Sequence, residues 1–253
     1  MTDRPTMQTA SRRRLIMPAL IALLAVGGAA VAYATTGKAT PGGADRAAIE
    51  AVVRDYILAH PEIIPEAIKR LQAKEMAQKV EDNRSALETP YKGAWEGAAQ
   101  PDVTLVAFMD YACGYCRASL PDLARLVKED PKLRIVYREL PIIAEGSAGA
   151  ARVSLLAAED NKFMAFHQAM YAAGDVEPAT VLKVAGKVGL DSGKAQAALK
   201  SKASDEPIME NVRLAQALDA TGTPMFVVGD QVLTGAVGYE TLKAAVAKAR
   251  NKS

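Results

Sequence analysis

Cys113 and Cys116 are the two cysteines of the 253-residue chain, and they stand where an apolar run gives way to a helix-periodic one. Val103-Thr-Leu-Val-Ala-Phe-Met109 has the length and composition of a buried strand, and Arg117-Ala-Ser-Leu-Pro-Asp-Leu-Ala-Arg-Leu-Val-Lys128 has helical spacing. A strand, a turn, Cys-x-x-Cys and a helix constrain this stretch to a βα unit with both sulfurs at the helix start. Backbone N–H groups are unpaired there and the macrodipole is positive, so a thiolate in the first turn is stabilised. Spacing of i and i+3 brings the second sulfur beside the first, so a disulfide can close and open without unfolding the chain. The pair reads as a redox switch.

Other uses of the pair fit less well. A structural disulfide between these positions closes a four-residue ring and removes little entropy from the unfolded chain. A zinc site needs two further ligands, and the chain offers His60 and His167, both far away in sequence. Binding of a soft ion such as Cu(I) by the reduced thiols remains chemically reasonable.

The amino terminus reads as an export signal over residues 1–34. Ser11-Arg-Arg-Arg14 is a basic start, Leu15 to Ala32 is apolar and uncharged, and Ala32-Tyr-Ala34 is an A-x-A cleavage site. The mature chain then begins near Thr35; the arginine run also has the form of a twin-arginine signal. The alternative is an uncleaved anchor, since the apolar stretch approaches spanning length. Both place the working domain in an oxidising compartment, where a lone Cys-x-x-Cys is free for chemistry rather than part of a disulfide framework. With 31 Lys+Arg against 29 Asp+Glu and a formal net charge of +2, the chain is suited neither to nucleic acid nor to strong membrane-surface binding.

After a Gly/Pro linker from Thr36 to Gly43, residues 35–88 form a helical amino-terminal extension. Ile49, Val52, Val53, Tyr56 and Ile57 make one apolar face, and His60-Pro61 ends that helix. Ile64, Ile68, Leu71, Met76 and Val80 continue the stripe along a second, highly charged helix to about Leu87. So narrow a stripe packs either on the following domain or on a second copy of itself. Thr89 to Asp102 is an entry loop that includes a short edge strand. Pro121 is expected to kink the Cys-x-x-Cys helix. Leu133 to Leu140 alternates as a strand and makes a right-handed βαβ unit with the first. An all-helical insertion spans about 145–220, with breaks at Asn161, Gly174 to Pro178, Asp191-Ser-Gly193 and Pro207. Met225 to Val228 and Val232 to Thr234 form a hairpin turning at Gly229-Asp230, and Tyr239 to Arg250 is a closing helix.

This order, with Thr221-Gly-Thr-Pro224 opening the hairpin, resembles an α/β thioredoxin fold of the DsbA-like type with a helical insertion, covering 89–253. More closely, Phe108-Met-Asp-Tyr-Ala-Cys-Gly-Tyr-Cys-Arg, Leu140-Pro-Ile-Ile, Phe166-His-Gln and Leu58-Ala-His-Pro-Glu-Ile-Ile-Pro-Glu-Ala are similar to the ScsC group, the suppressor-of-copper-sensitivity proteins of the bacterial periplasm. The resemblance implies a periplasmic thiol:disulfide oxidoreductase without bound cofactor or metal. It would act on cysteine-containing exported clients and be recharged by a membrane redox partner. Cys113 is the expected nucleophile and Cys116 the resolving thiol. Pro224 is expected to be cis, placing the Thr223 backbone beside the sulfurs to hold an extended client. Gly114 and Tyr115 tune the potential; with no histidine between the cysteines, the couple is expected to be less oxidising than the Pro-His type. The extension implies a homo-oligomer and favours isomerase or reductase duty. A DsbA-like oxidase and a copper-handling thiol protein are the alternatives.

Glu139 and Asp110 are candidates for a carboxylate that moves protons to and from Cys116, although acidic side chains at such positions are first read as solvated or turn residues. His167, on an apolar helical face, is read as packing or forming a structural hydrogen bond.

Overall fold

The computed structural model describes residues 43–202 and 205–251. The expected export signal and most of the linker after it lie outside the described residues. The chain divides into two units between Glu66 and Ala67.

The first unit carries helix α1 (Gly43–Ala59). Ile49, Val52, Val53 and Tyr56 are at least half exposed on it, so the stripe seen in the sequence is a bare apolar face. Helix α2 (Ile63–Glu88) begins after the His60-Pro61 break.

In the second unit a five-stranded sheet has the order β1-β3-β2-β4-β5, with β1 Trp95–Gly97, β2 Val103–Met109, β3 Leu133–Glu139, β4 Met225–Val228 and β5 Gln231–Thr234. Strand β2 is central because nearly every residue in it is apolar and both its faces are covered. It runs parallel to β3 through the crossover helix α3 (Gly114–Glu129) and antiparallel to β4. Edge strand β1 pairs antiparallel with β3 and ends at Gly97. A Cβ on Gly97, whose φ is +93°, would come within 2.3 Å of the Leu133 carbonyl oxygen, so glycine is required at this close approach.

Alternation divides the core by face. Leu105, Ala107, Met109, Leu133, Ile135, Phe226 and Val228 look toward α3, α4 (Ser147–Glu159), α5 (Phe163–Ala173), α6 (Pro178–Lys187), α7 (Ser192–Lys200) and α9 (Tyr239–Arg250). Val106, Phe108, Val136, Met225 and Val227 pack with Val80 and Leu87 of α2 and Leu214 of α8 (Asp205–Ala217). Of the α2 stripe, Val80 and Leu87 pack on the sheet, as one of the two readings expected, while Ile64, Ile68 and Leu71 are exposed. Pro207 does not break a helix but stands third in α8, in the first turn, where its missing N–H has no partner to lose. Pro121 lies inside α3, which continues to Glu129.

Arg138 fastens α2 to the sheet. Its guanidinium, 7% exposed, donates to the carbonyls of Ala86, Leu87 and Thr89 at the end of α2 and to Asn211 Oδ1 at 2.8 Å. Helix-end carbonyls lack partners inside the helix, so this side chain serves as the cap. Arg138→Met is therefore expected to lower unfolding free energy by about 2–4 kcal/mol through stranded buried acceptors, read from the midpoint of urea denaturation.

Candidate active site

Cys113 is the N-cap residue of α3, in extended conformation at φ −84° and ψ 114°. Its Sγ accepts the Cys116 N–H at 3.3 Å, so a sulfur sits where a serine or aspartate oxygen usually caps a helix. The Cys113 thiol donates to the Thr223 carbonyl at 3.2 Å, and the Thr223–Pro224 peptide bond is cis. Two segments more than a hundred residues apart in sequence thus meet at one sulfur. The two sulfurs are not joined to each other in this arrangement; Cys113 is 5% exposed and Cys116 fully buried. Burial pushes the Cys116 thiol far above its ordinary range, with the Asp110 backbone N–H and the Thr223 hydroxyl acting in the opposite direction. Gly114 and Tyr115 are exposed between the sulfurs, Tyr115 by 70%. All six residues singled out from the sequence, Cys113, Gly114, Tyr115, Cys116, Thr223 and Pro224, therefore come together. Among the described residues no group of three or more His, Cys, Asp or Glu side chains is placed to hold a metal ion.

The solvated reading of the two acids is overturned: Asp110 is 1% and Glu139 4% exposed. Asp110 Oδ1 accepts the Ala112 N–H at 2.8 Å and the Ser147 hydroxyl at 2.7 Å. Its Oδ2 accepts the N–H groups of Ile142 and Ile143 at 2.7 and 2.8 Å. One carboxylate therefore ties the loop entering α3 to the loop leaving β3, and four fixed donors in place of water make its burial affordable. The side chains of Ile142 and Ile143 remain about half exposed beside this junction.

Glu139 Oε1 accepts the Tyr111 and Ser154 hydroxyls at 2.9 and 2.8 Å. The Tyr111 oxygen lies 3.1 Å from His167 Nδ1, and the Tyr171 hydroxyl donates to the Asp110 carbonyl at 3.0 Å. His167 is buried with a structural hydrogen bond, as read from the sequence, but its Nε2 has no partner. Tyr111, Ser154 and Tyr171 were not picked out from the sequence. Tyr171 follows His167 by four residues, on the same face of α5, and that spacing is the local signal of the pair.

Burial raises the Glu139 carboxyl to about 8 and lowers His167 to about 3, and the two act oppositely on stability. Unfolded, Glu139 releases its proton near 4.5; the folded chain keeps it to about 8, so stability falls as pH rises through that window. Unfolded, His167 takes a proton near 6.5; the folded chain refuses it down to about 3, so stability falls as pH drops through that window. The pair is expected to give a rise from pH 3 to 4.5, a plateau to 6.5 and a decline to 8, each arm at most ~1.4 kcal/mol per pH unit. Glu139→Gln should flatten the alkaline arm in denaturation midpoints taken across pH; an unchanged arm refutes the assignment.

Comparison with known proteins agrees with this geometry. Residues 104–247 match the DSBA-like thioredoxin domain family, and residues 45–78 match the family described as the copper resistance protein ScsC N-terminal domain. A thioredoxin-like oxidoreductase structure from Silicibacter pomeroyi is 40% identical, covers 63% of this chain and 92% of that one, and superposes with a TM-score of 0.60. Proteus mirabilis ScsC in a transitional conformation is 28% identical, covers 84% of this chain and 100% of that one, and has a TM-score of 0.63. The Na(+)/H(+) antiporter NhaA 3 of Salinispora tropica is 30% identical over 156 residues, 60% of this chain and 24% of that protein. The chain thus spans about a quarter of the length of that curated relative. No helix among the described residues is long and apolar enough to cross a membrane.

Proposed function

Because this chain belongs to the DsbA-like thioredoxin-fold family of thiol:disulfide oxidoreductases, we propose that it exchanges disulfides in cysteine-containing exported proteins of the periplasm, as an isomerase or reductase whose pair is kept reduced by a membrane partner. The contact that supports this most directly is Cys113 Sγ at the N-cap of α3, between the Cys116 N–H and the Thr223 carbonyl. A thiolate there keeps a donor and a positive helix end. The backbone around Thr223 and Pro224 adjoins the sulfur, where an extended client can lie against it.

In this reading the Cys113 thiolate attacks a client disulfide, forming a Cys113–client bond while the other client sulfur leaves as a thiolate. For isomerisation, a second client thiolate attacks that bond and restores Cys113 with no net oxidation. For reduction, the Cys116 thiolate attacks Cys113 Sγ, the pair becomes a disulfide, and two electrons pass to the client. Gly114 and Tyr115 place no cation beside the sulfur, which supports a less oxidising couple.

Residues 35–88 act in this reading as an assembly element, and the bare face of α1 together with the ScsC amino-terminal match supports self-association. Light scattering should show an oligomer that is lost when the chain is cut before Ala67. A cut at 88 would also strip Val80 and Leu87 from the core.

The deciding experiment is reactivation of scrambled, fully disulfide-bonded ribonuclease in a glutathione buffer, beside oxidation of the reduced enzyme. Recovery of the scrambled substrate is expected. Activity on the reduced substrate alone makes the protein an oxidase. A second reading, a copper-handling thiol protein, draws on the copper-resistance match; inactivity on both substrates with stoichiometric tight Cu(I) capture would favour it.

A further inference from the structure

Several helical arginines of this protein keep a carboxylate on their own helix. Arg46, Arg84, Arg125 and Arg213 each pair with a glutamate three or four residues away, the spacing at which helical side chains are neighbours. Arg117, the residue after Cys116, has no such partner. The positions one turn away from it are Cys113, Gly114, Leu120 and Pro121, none of them acidic. Its side chain is exposed, and among the described residues no carboxylate lies within ion-pair distance of it.

The guanidinium nevertheless has a fixed seat. A Cβ on Gly174, which ends α5 at φ +90°, would lie 3.9 Å from Arg117 Nη2. The last carbonyls of a helix lack partners and carry the negative end of its dipole, so a cation settles there without losing its charge to a carboxylate. The same end of α5 reaches the nucleophile: the Tyr171 hydroxyl and the Cys113 N–H both donate to the Asp110 carbonyl, each at 3.0 Å. On α3 the Arg117 N–H donates to the Cys113 carbonyl at 3.1 Å. Gly114, on the same face, leaves the space between them open, since a Cβ there would meet nothing within 4 Å. Asp175 and Glu177, the acids that follow α5, are exposed, and Asp175 Oδ1 accepts the Glu177 N–H at 3.0 Å.

We propose that Arg117 selects disulfides that carry a carboxylate beside the sulfur Cys113 attacks. The proposal rests on the exchange chemistry above. As the Cys113–client bond forms and the other client sulfur leaves with the electron pair, the residues flanking the client cysteine lie over the first turn of α3. Arg117 stands about 6 Å along the helix from Cys113, and each extended client residue covers about 3.5 Å, so an acidic side chain next to the client cysteine comes within reach of the guanidinium. The ion pair then forms without breaking one inside the protein. The carboxylate has two sources of the same chemistry: an acidic residue flanking a cysteine of an exported protein, or the glutamyl and glycyl ends of glutathione disulfide.

The test is release of thiopyridone, read by absorbance, when the reduced full chain meets thiopyridyl disulfides in pairs that differ only in charge. One pair is a short peptide with glutamate or glutamine on each side of its cysteine; the other is glutathione or its dimethyl ester. At low salt the wild type is expected to react about two- to fivefold faster with the acidic member, the size of an exposed ion pair. That ratio should fall toward one at roughly 0.5 M salt. Arg117→Ala should lose the preference and Arg117→Glu invert it, while Arg117→Lys keeps part of it. Ratios within a pair cancel any change these substitutions make in the Cys113 thiol, which acts on both members alike. A preference in the peptide pair alone assigns protein clients as the source, and one in the glutathione pair alone assigns the small disulfide. Equal rates within both pairs in the wild type, or a preference that survives Arg117→Ala, overturn the charge selection alone. No release from any of these substrates overturns the exchange reading on which it rests.

Discussion

Cys116→Ser is expected to convert the protein into a trap. The Cys113 sulfur keeps its place at the N-cap of α3, accepting from the backbone N–H of residue 116, which a serine retains. It still attacks client disulfides. The buried sulfur that would resolve the adduct is gone, so covalent Cys113–client species should accumulate on non-reducing gels and dissolve with dithiothreitol. Cys113→Ser should form no adduct, and its exchange rate should fall to background, on the order of a thousandfold or more, as loss of a nucleophile does. The contrast follows from burial: Cys113 retains a small exposed area, while Cys116 has none. If Cys113→Ser formed adducts through Cys116, the order of attack assigned here would be reversed.

Asp110→Ala is expected to be the most destabilising single change near the sulfurs. Three backbone N–H groups and the Ser147 hydroxyl converge on this carboxylate. At about 1–3 kcal/mol for each buried donor stranded, less what water entering the gap restores, the loss should be about 3–5 kcal/mol. The loops that enter α3 and leave β3 would lose their shared tie, so activity should fall in the folded fraction as well. Asp110→Asn keeps the shape but offers one acceptor oxygen where two are used, and its amide group faces donors, so it should recover only part of the loss. Urea denaturation of the three proteins orders them; equal midpoints for wild type and Asp110→Ala would remove Asp110 from this role.

The strands, the crossover and the hairpin were legible because their signals are local: apolar Val103 to Met109, the alternation into Glu139, and the Gly229-Asp230 turn. The sulfurs were legible for the same reason, since a three-residue spacing at a helix start carries its own geometry. Asp110 and Glu139 stand out in the sequence as candidate carboxylates but read first as solvated or turn residues. Asp110 does make a turn contact, with the Ala112 N–H; what the solvated reading misses is burial, because most of their partners lie far away in sequence. Ile142 and Ser147 lie more than thirty residues from Asp110, and His167 lies 56 from Tyr111. Burial of a charged group depends on donors delivered by tertiary structure, and periodicity does not record them. Pro207 shows the converse: a local breaker was recognised, but position in the first turn of α8 decided its effect.

Strand β2 is hydrogen-bonded to β3 over its whole length and to β4 from Leu105 to Phe108. Amides in such a strand exchange with deuterium only when the sheet opens as a whole. The strand feeding Asp110 and Cys113 should thus be the slowest-exchanging part of the molecule, with protection approaching its global unfolding free energy. The sulfurs can then change partners many times on a base that does not loosen between turnovers.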